Sequence, residues 1–274
     1  MLRVISLGAG VQSSTMFLMA CHGELTPKPD AAIFADTQWE PKEVYYWLDR
    51  LMEIGAVHGI PVIRASKGNI REDMLRATVR GTHGEGKRAA SMPLYTTSDG
   101  VSEGMIRRQC TREYKIEVVE KEVRRLLGLR PRQQAKASSA QFWLGISADE
   151  ASRMKTSRKP WYTNHYPLIF DYDPPMTRKD CMAWLKANGY PIPRKSACLG
   201  CPYHSNAEWR GIRENVEEWA DVVDFDERVR NRGGHRGTLY LHRTCVPLAQ
   251  VDLTTAEERG QSNWINECEG MCGV

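Results

Sequence analysis

A short apolar segment runs directly into a glycine-rich turn near the start of the sequence, and this feature constrains the fold more than any other. Leu2–Leu7 predicts a buried strand, residues 8–10 predict the turn, and a helix is expected from near Gln12 to Gly23. A strand, a tight turn and a helix in immediate succession are typical of the first unit of a parallel α/β sheet.

Strands and helices continue to alternate along the chain. Apolar strands are predicted at residues 31–35, 60–64 and 141–146. Helices are predicted after Pro41, over residues 112–127, from Thr177 to Asn188, and from the Ser205 to Glu208 capping box through Val216 and Trp219. The pattern predicts an α/β fold, with a parallel sheet and helices on both of its faces. Residues 77–104 carry five glycines and are expected to form a mobile loop.

The composition excludes several classes of protein. Of the 274 residues, 41% are hydrophobic and 26% are charged, which excludes a disordered or fibrous chain. The longest apolar run, residues 15–21, is too short to span a bilayer, and the first residues lack the pattern of a signal peptide. We therefore expect a cytoplasmic protein with no membrane partner, whose eight cysteines are core residues, metal ligands or reactive thiols.

Charge and length indicate how the chain is divided and what it binds. The net charge of +4 is compatible with an anionic substrate but does not by itself indicate nucleic acid. Basic residues are concentrated in residues 64–88 and 107–136, where they form either a solvated face or a funnel for a nucleotide or nucleic acid. Residues 1–195 are predicted to form the α/β domain, and residues 196–274 a helical C-terminal region that contains cysteines.

The glycine-rich turn has the chemistry of an anion site. Its glycines let the backbone approach a ligand closely, and the free N–H groups of the following helix, together with the hydroxyls of Ser13 and Ser14, suit a phosphate. The turn has neither the lysine of a P-loop nor the third glycine of the dinucleotide fingerprint. The alternative is a tight strand–helix turn that Ser13 caps.

Residues 8–14 resemble the PP-loop of the ATP pyrophosphatases and of the sulfonucleotide (phosphoadenylyl sulfate, PAPS) reductases, which share an adenine nucleotide alpha hydrolase-like fold. Residues 34–41, 145–153 and 166–171 resemble three further segments of these families, in the same order and with similar spacing. The resemblance covers roughly residues 1–202. It implies that residues 1–195 form a nucleotide-binding domain with a HUP-like parallel sheet, which binds ATP or an adenylyl sulfate, with magnesium as a further cofactor for ATP.

The resemblance also implies which residues hold the nucleotide. They are Gly8, Ala9, Gly10, Gln12, Ser13, Ser14, Asp36, Thr37, Gly145 and Glu150. Arg153 takes a catalytic role in this interpretation, because a guanidinium group neutralises phosphate charge. The alternatives are that Arg153 pairs with Glu150 on the surface and that Asp36 caps the next helix. Gln12 departs from the pyrophosphatases, which usually carry Asp there, whereas the reductases often carry Gln.

A second group of candidate residues consists of cysteines. Cys198 and Cys201 form a Cys-x-x-Cys knuckle that can bind one metal or the edge of a cluster, and Cys110 lies in a basic segment upstream. The resemblance to the reductases and to PP-loop sulfur transferases implies a 4Fe-4S cluster on these three thiolates. Zinc, with His204 near the knuckle, is the first alternative, and an inert loop is the second. Cys21 and Cys181 are expected in the core, and Cys245 has no assigned partner.

The end of the chain adds two more cysteines. Cys268 follows Glu267 as in the reductases, whose terminal cysteine attacks sulfur, and it is therefore a candidate catalytic nucleophile. Cys272 is a candidate fourth ligand of the cluster. The alternative is a frayed tail with incidental thiols.

These features predict a nucleotide-dependent enzyme of sulfur chemistry. The first interpretation is ATP-dependent adenylation of an acceptor, such as a nucleoside, tRNA or DNA, followed by sulfur transfer from a thiol or other sulfur donor. The second is a sulfonucleotide reductase that releases sulfite. The third is a non-catalytic module that binds nucleotide, or zinc and nucleic acid. A homodimer is compatible with each interpretation.

Overall fold

A five-stranded parallel sheet lies at the centre of the computed structural model, which describes residues 1–76, 92–98, 101–230 and 237–254. In chain order, the strands of the described residues are β1 (Leu2–Leu7), β2 (Ala31–Asp36), β3 (Val62–Ser66), β4 (Tyr95–Ser98), β5 (Val101–Met105), β6 (Ala140–Leu144), β7 (Tyr162–His165) and β8 (Thr238–Tyr240). The central sheet has the order β3-β2-β1-β6-β7, and every neighbouring pair in it is parallel. The predicted α/β class with a parallel sheet is therefore confirmed.

The order of the strands reverses direction between β1 and β6. The strands β2 and β3 are added on one side of β1, whereas β6 pairs with its other side, from Leu2 opposite Ala140 to Ser6 opposite Leu144. The loops that follow β1 and β6 therefore lead to opposite halves of the sheet, and a crevice opens between them. Open α/β sheets bind their ligands at this point.

The helices of the described residues follow the signals in the sequence. They are α1 (Val11–His22), α2 (Lys42–His58), α3 (Ile70–Arg76), α4 (Glu117–Leu126), α5 (Pro167–Phe170), α6 (Arg178–Ala187), α7 (Asn206–Arg213) and α8 (Val216–Arg230). Gly23 ends α1 in the left-handed conformation with a φ of 80°, which glycine adopts without strain. Thr177 and Asp180 form a capping box at the start of α6. A π-helical segment, Thr111–Ile116, leads directly into α4.

Two apolar layers cover the two faces of the central sheet. Successive side chains of a strand point to opposite faces. Accordingly Phe34 joins a core with helices α1, α2 and α6, whereas Ile33 joins a core beneath α4. Helix α1 is buried from Val11 to Cys21, and this includes the four polar residues of its first turns, 12–15. None of the described helices combines the length and the apolar character needed to cross a bilayer.

A second, antiparallel sheet corrects the expectation of a mobile loop over residues 77–104. Strands β4 and β5 lie in this segment, and the sheet has the order β5-β4-β8. The strands are short, and β4 pairs with a strand about 140 residues later in the chain, so the local sequence carries little sign of them. The rest of the predicted loop, residues 77–91 and 99–100, lies outside the described residues.

The helix predicted from Ser205 through Trp219 is two helices. The capping box of Ser205 and Glu208 is present and starts α7, as expected. The prediction of a single helix was wrong. The side chain of Asn215 accepts hydrogen bonds from the backbone N–H groups of Glu217 and Glu218, and this cap starts α8 as a separate helix.

A third apolar core joins the C-terminal segment to the rest of the chain. Leu199, Trp209 and Phe225 pack in it with Trp39 and Tyr114. Residues before and after residue 195, the predicted domain boundary, contribute side chains to this core. The division into two domains stays a prediction.

A buried histidine ties the end of the second sheet to the start of α7. His242 is 2% exposed, and its Nε2 lies 3.2 Å from the Oδ1 of Asn206. Its Nδ1 accepts the backbone N–H of Thr244 at 3.3 Å, which makes Nε2 the donor to Asn206. Burial, with a smaller contribution from Arg243, lowers the pKa of His242 to about 4.

We expect acid to weaken the fold through His242. Because the pKa of His242 is lower in the folded state than its ordinary value of 6.5, the unfolded chain binds the proton more tightly. Neutral His242 therefore makes its full contribution to the free energy of unfolding above pH 6.5. This contribution falls by on the order of 1–3 kcal/mol as the pH falls towards 4. Urea denaturation at pH 7 and pH 4.5 measures it. The stability difference between the wild type and His242→Gln should narrow at the lower pH, and an equal difference at both would contradict the prediction.

Candidate functional site

A cleft opens at the carboxyl ends of β1 and β6, where the order of the strands reverses. The loop after β1 forms one wall, and the π-helical segment, the start of α4 and the segment before the cysteine knuckle form the others. The lining residues are Ser6, Leu7, Gly8, Gly10, Val11, Gln12, Ser13, Phe34, Ala35, Lys115, Ile116, Val119, Phe142, Leu144, Gly145, Tyr162, Arg178, Lys195 and Ser196. The structure thus brings together Gly8, Gly10, Gln12, Ser13 and Gly145 of the predicted nucleotide site.

The loop after β1 is held by its own hydrogen bonds. The hydroxyl of Ser13 accepts the backbone N–H of Gly8 at 3.2 Å and lies 3.3 Å from the carbonyl oxygen of Gly10, to which it donates. The left-handed residue of the loop is Ala9, with a φ of 58°, rather than either glycine. A Cβ on Gly145 would lie 2.7 Å from the backbone of Ser13, so only glycine lets the end of β6 approach the loop this closely.

Two other residues of the loop are bound to the protein interior. The hydroxyl of Ser14 accepts the indole N–H of Trp47 at 2.9 Å, and Ser14 is fully buried and does not line the cleft. The amide of Gln12 lies 3.4 Å from the hydroxyl of Ser147. Ser13 is therefore the loop serine that faces the cleft.

Asp36 and Thr37 lie at the end of β2 but outside the lining of the cleft. Asp36 is 2% exposed and forms an ion pair with Arg64 at 2.7 Å, and it also accepts the hydroxyl of Tyr45 at 2.9 Å. Asp36 lines a separate shallow pocket with Gln38 and Tyr45. The structure does not bring Asp36 and Thr37 together with the glycine-rich loop.

Glu150, a predicted nucleotide-binding residue, and Arg153, a predicted catalytic residue, lie in the 3₁₀ segment Ala148–Arg153. Arg153 and Glu150 form an ion pair of 2.6 Å, the arrangement of the surface alternative. Neither residue lines the cleft. Their candidate roles stay predictions.

Three cationic side chains that line the cleft give it a positive charge. They are Lys115, Arg178 and Lys195. Lys115 comes from the π-helical segment, and such segments occur frequently at functional sites. Its ammonium lies 4.0 Å from the buried Glu40, so it faces both the cleft and the end of β2. Burial lowers the pKa of Lys115, but Glu40 and the thiols of Cys198, Cys201 and Cys110 outweigh it and raise the pKa above its ordinary value.

The lining of the cleft also contains apolar and aromatic side chains. The rings of Phe142 and Tyr162 stack with centroids 4.2 Å apart, and both line the cleft with Val119. The hydroxyl of Tyr162 donates to the buried Glu120 at 3.0 Å, which fixes the ring. The lining of the cleft therefore combines cations and the backbone of the glycine-rich loop with apolar and aromatic surface.

The cysteine knuckle is bound to the segment that follows β2. The backbone N–H of Leu199 donates to the carbonyl of Trp39 at 2.6 Å. The Sγ of Cys198 lies 3.3 Å from the hydroxyl oxygen of Thr37 and 3.8 Å from Oε1 of Glu40. The hydroxyl of Thr37 donates to the same Oε1 at 3.0 Å, and Oε2 of Glu40 is buried without a hydrogen-bond partner among the described residues.

The structure brings Cys110, Cys198 and Cys201 into one neighbourhood around Lys115. Desolvation raises the pKa of Cys198 well above its ordinary value, with Glu40 adding to the effect. Desolvation also raises the pKa of Cys201 to about 11, and Cys110 lies near enough for its charge to contribute. Such thiols are poor nucleophiles, but metal binding removes their protons.

The donor set fits an iron–sulfur cluster in its chemistry, since soft thiolates are its usual ligands and the orphaned Glu40 oxygen marks an incomplete polar site beside Cys198. Within the described residues, no three His, Cys, Asp or Glu side chains are arranged as ligands of one metal ion. Two sulfurs bound to one tetrahedral metal ion lie about 3.8 Å apart. The cysteine sulfurs that hold a cluster lie farther apart than this, because the iron and sulfide of the cluster are between them.

The other candidate ligands lie elsewhere. The Nε2 of His204 is 3.0 Å from the carbonyl oxygen of Cys198, so this nitrogen is engaged by the knuckle backbone. Cys21 and Cys181 are buried in the core beside α1, as predicted. Cys268 and Cys272 lie outside the described residues.

Sequence reasoning missed Lys115, Glu40 and Lys195 as site residues. The sequence did contain a signal for Lys115, since it lies five residues after Cys110, in the helix predicted over residues 112–127. No pattern in the sequence marked Glu40 or Lys195 as a site residue. Only the tertiary fold brings Glu40 to the knuckle and Lys195 to the cleft.

Neither a scan of protein-family models nor a search of curated proteins found a match to this chain. The functional argument therefore depends on the geometry of the site and on the sequence motifs.

The contact between Gly200 and Trp39 provides a test of how the knuckle is held. A Cβ on Gly200 would lie 2.1 Å from the ring of Trp39, so Gly200→Ala must displace the ring. We expect a loss of about 1–3 kcal/mol in the free energy of unfolding, as for other overpacked sites.

Gly211→Ala is the matched control, because its Cβ would meet nothing closer than 3.6 Å in α7. It should be neutral or stabilise the protein by about 0.5–1 kcal/mol. Urea denaturation of both variants measures the effects, and a Gly200→Ala variant as stable as the wild type would show that Trp39 does not fix the knuckle.

Proposed function

We propose that the protein binds an adenine nucleotide in the cleft and uses it for sulfur chemistry at the neighbouring cysteines. The observation that carries this proposal is the position of Lys115, which lines the glycine-walled cleft and also lies beside Glu40 and the thiols. A nucleotide held by the loop would therefore have its reactive end next to the cysteines.

The polar and the apolar parts of the cleft lining suit the two parts of a nucleotide. The N–H groups at the start of the 12-residue helix α1, with Ser13, Lys115 and Lys195, suit phosphates. The stacked rings of Phe142 and Tyr162 suit a flat base. Both ligands that the sequence motifs suggest, ATP and an adenylyl sulfate, have this amphipathic form.

The cysteines act in this proposal as ligands rather than as nucleophiles. Cys110, Cys198 and Cys201 would hold a 4Fe-4S cluster, which supplies electrons or a binding position for sulfur. The raised pKa values of Cys198 and Cys201 support a ligand role, since a thiol that stays protonated attacks slowly. Lys115 would offset part of the negative charge of the thiolates.

The first candidate reaction is ATP-dependent sulfur transfer. A carbonyl oxygen of the acceptor, a nucleoside, tRNA or DNA, attacks the α-phosphate of ATP, and pyrophosphate leaves. A sulfur nucleophile from the donor then adds to the activated carbon, and AMP departs with the oxygen. Loop N–H groups and the cationic side chains would stabilise the charge on the departing phosphates.

The second candidate reaction is the reduction of an adenylyl sulfate. The described residues that line the cleft include three cations and no carboxylate, which suits an anion that needs no magnesium. A thiolate, for which Cys268 is the candidate, would attack the sulfur and release AMP or its phosphorylated form. A thiol reductant would then release sulfite and leave a disulfide.

The loop serines test the nucleotide site. Ser13→Ala should weaken the binding of ATP or adenylyl sulfate by about 1–3 kcal/mol, roughly 5- to 150-fold in Kd, because the loop loses the hydroxyl that shapes it. Ser14→Ala is the control, since its hydroxyl faces Trp47. It should lower the stability by about 1 kcal/mol and leave the affinity nearly unchanged. Isothermal titration measures both, and equal affinities for the wild type and Ser13→Ala would refute the site.

Product analysis separates the candidate reactions. Sulfur transfer should yield pyrophosphate and AMP from ATP in the presence of the acceptor, whereas reduction should yield sulfite from adenylyl sulfate with a thiol reductant. We expect pyrophosphate. Sulfite without pyrophosphate would establish the second reaction, and nucleotide binding with neither product would indicate a non-catalytic module.

A further inference from the structure

Two segments of the chain carry an excess of positive charge that the rest of the chain does not share. Residues 121–136 contain six Lys or Arg and one Glu, and residues 153–160 contain four Lys or Arg and no acidic residue. Their combined net charge is +9, whereas that of the whole chain is only +4, so the remaining residues are net acidic. The positive charge is therefore concentrated rather than spread evenly over the chain.

The fold joins these two segments into one surface, which we call the basic surface. The backbone N–H of Ser138, just after the first segment, donates to the carbonyl of Pro160 at the end of the second, at 2.9 Å. The ammonium of Lys159 donates to the buried carboxylate of Glu120 in α4, one residue before the first segment. Both ends of the first segment are thus attached to the second.

Most cations of the basic surface have no carboxylate partner. Six of them are exposed and form no ion pair with a described residue: Lys121, Arg130, Arg132, Lys136, Lys155 and Arg158. A merely solvated face usually carries charges of both signs, which compensate one another. A surface of one sign attracts a ligand of the opposite sign, so the basic surface suits an extended anion.

The composition of the basic surface favours a nucleic acid among extended anions. None of the large apolar side chains that are exposed among the described residues lies in either segment. A membrane surface and the centre of a protein–protein interface are both bound through such side chains. Phosphates of nucleic acids are instead bound by Lys and Arg together with neutral polar groups, and Gln134 and Thr156 are exposed in the two segments.

Glu120 connects the basic surface to the cleft. One oxygen of its carboxylate accepts the hydroxyl of Tyr162 at 3.0 Å, and the other accepts the ammonium of Lys159. Tyr162 lines the cleft, as does Val119, the residue before Glu120. A ligand on the basic surface would therefore lie against the wall of the cleft that carries the stacked rings.

We infer that the acceptor of the proposed sulfur transfer is part of a nucleic acid, and that the basic surface binds its phosphate backbone beside the cleft. This inference rests on the first candidate reaction of the proposed function, which needs an acceptor. It selects a polynucleotide over a free nucleoside, because a nucleoside carries no phosphate for these cations to bind. RNA and DNA share this chemistry, and binding experiments distinguish them.

Salt-dependent binding tests the inference. Fluorescence anisotropy measures the affinity of the full-length protein for labelled unfractionated tRNA and for a short labelled DNA duplex, between about 50 and 200 mM salt. The variant Arg130→Gln/Arg132→Gln/Lys136→Gln should bind the preferred nucleic acid at least about 10-fold more weakly. The slope of log K against log salt should fall by about 2–3, because three phosphate contacts are lost. The preferred probe identifies the acceptor as RNA or DNA.

A charge-matched variant on the other face of the sheet is the control. Lys28→Gln/Lys179→Gln/Lys186→Gln removes the same charge from exposed side chains, and Lys179 and Lys186 belong to α6, which packs opposite α4. It should keep the wild-type affinity and slope. Equal losses in both variants would overturn the inference, since net charge alone would then explain binding. Binding of phosphatidylserine vesicles, with neither nucleic acid bound, would also overturn it.

Nucleotide titration separates this inference from the proposed function. The Arg130→Gln/Arg132→Gln/Lys136→Gln variant should bind ATP with the wild-type Kd, because none of the three residues lines the cleft. A wild type that binds ATP but neither tRNA nor the duplex would overturn this inference alone. A wild type that binds nucleic acid but neither ATP nor an adenylyl sulfate would overturn the proposed function, and the acceptor role of the basic surface with it.

Discussion

The attachment of the cysteine knuckle to the end of β2 is the contact on which the rest of the site depends. The carbonyl of Trp39 accepts the N–H of Leu199 at 2.6 Å, and the ring of Trp39 packs where any side chain on Gly200 would lie. The indole N–H of Trp39 also donates to Asp221 of α8 at 2.6 Å. Because β2 belongs to the central sheet, these contacts fix the knuckle relative to the glycine-rich loop one strand away. The distance between thiols and cleft is thus set by a rigid sheet.

Charge balance around Glu40 explains why a lysine lies between the cleft and the cysteines. A buried carboxylate and several thiols would repel one another if ionised, and desolvation makes such charges expensive without a partner. The ammonium of Lys115, 4.0 Å from Glu40, supplies the opposite charge. An anionic ligand in the cleft would share this ammonium, so ligand binding and the charge state of the cysteines are coupled electrostatically.

Local signals in the sequence predicted the sheet well and the site only partly. The apolar runs of β1 and β2, Gly23 and the helix cap at Thr177 act within a few residues, and each prediction is confirmed within one or two positions. The second sheet depends on pairing between β4 and β8, which no local pattern encodes. The break at Asn215 did have a signal, since an asparagine two residues before Glu217 is a common helix start, but the apolar spacing across it hid the boundary.

Helix geometry explains why the two serines of the loop differ in position. Neighbouring residues of an α-helix are about 100° apart around its axis, so Ser13 and Ser14 cannot both face one cleft. Ser13 faces the cleft and Ser14 faces Trp47 of α2. The sequence motif does not distinguish the two hydroxyls, but in the fold the hydroxyl of Ser13 lies in the loop and that of Ser14 lies in the core. In the proposed function, phosphate recognition would then depend mainly on backbone N–H groups and on cations from distant segments, and Lys115, Arg178 and Lys195 line the cleft as such cations.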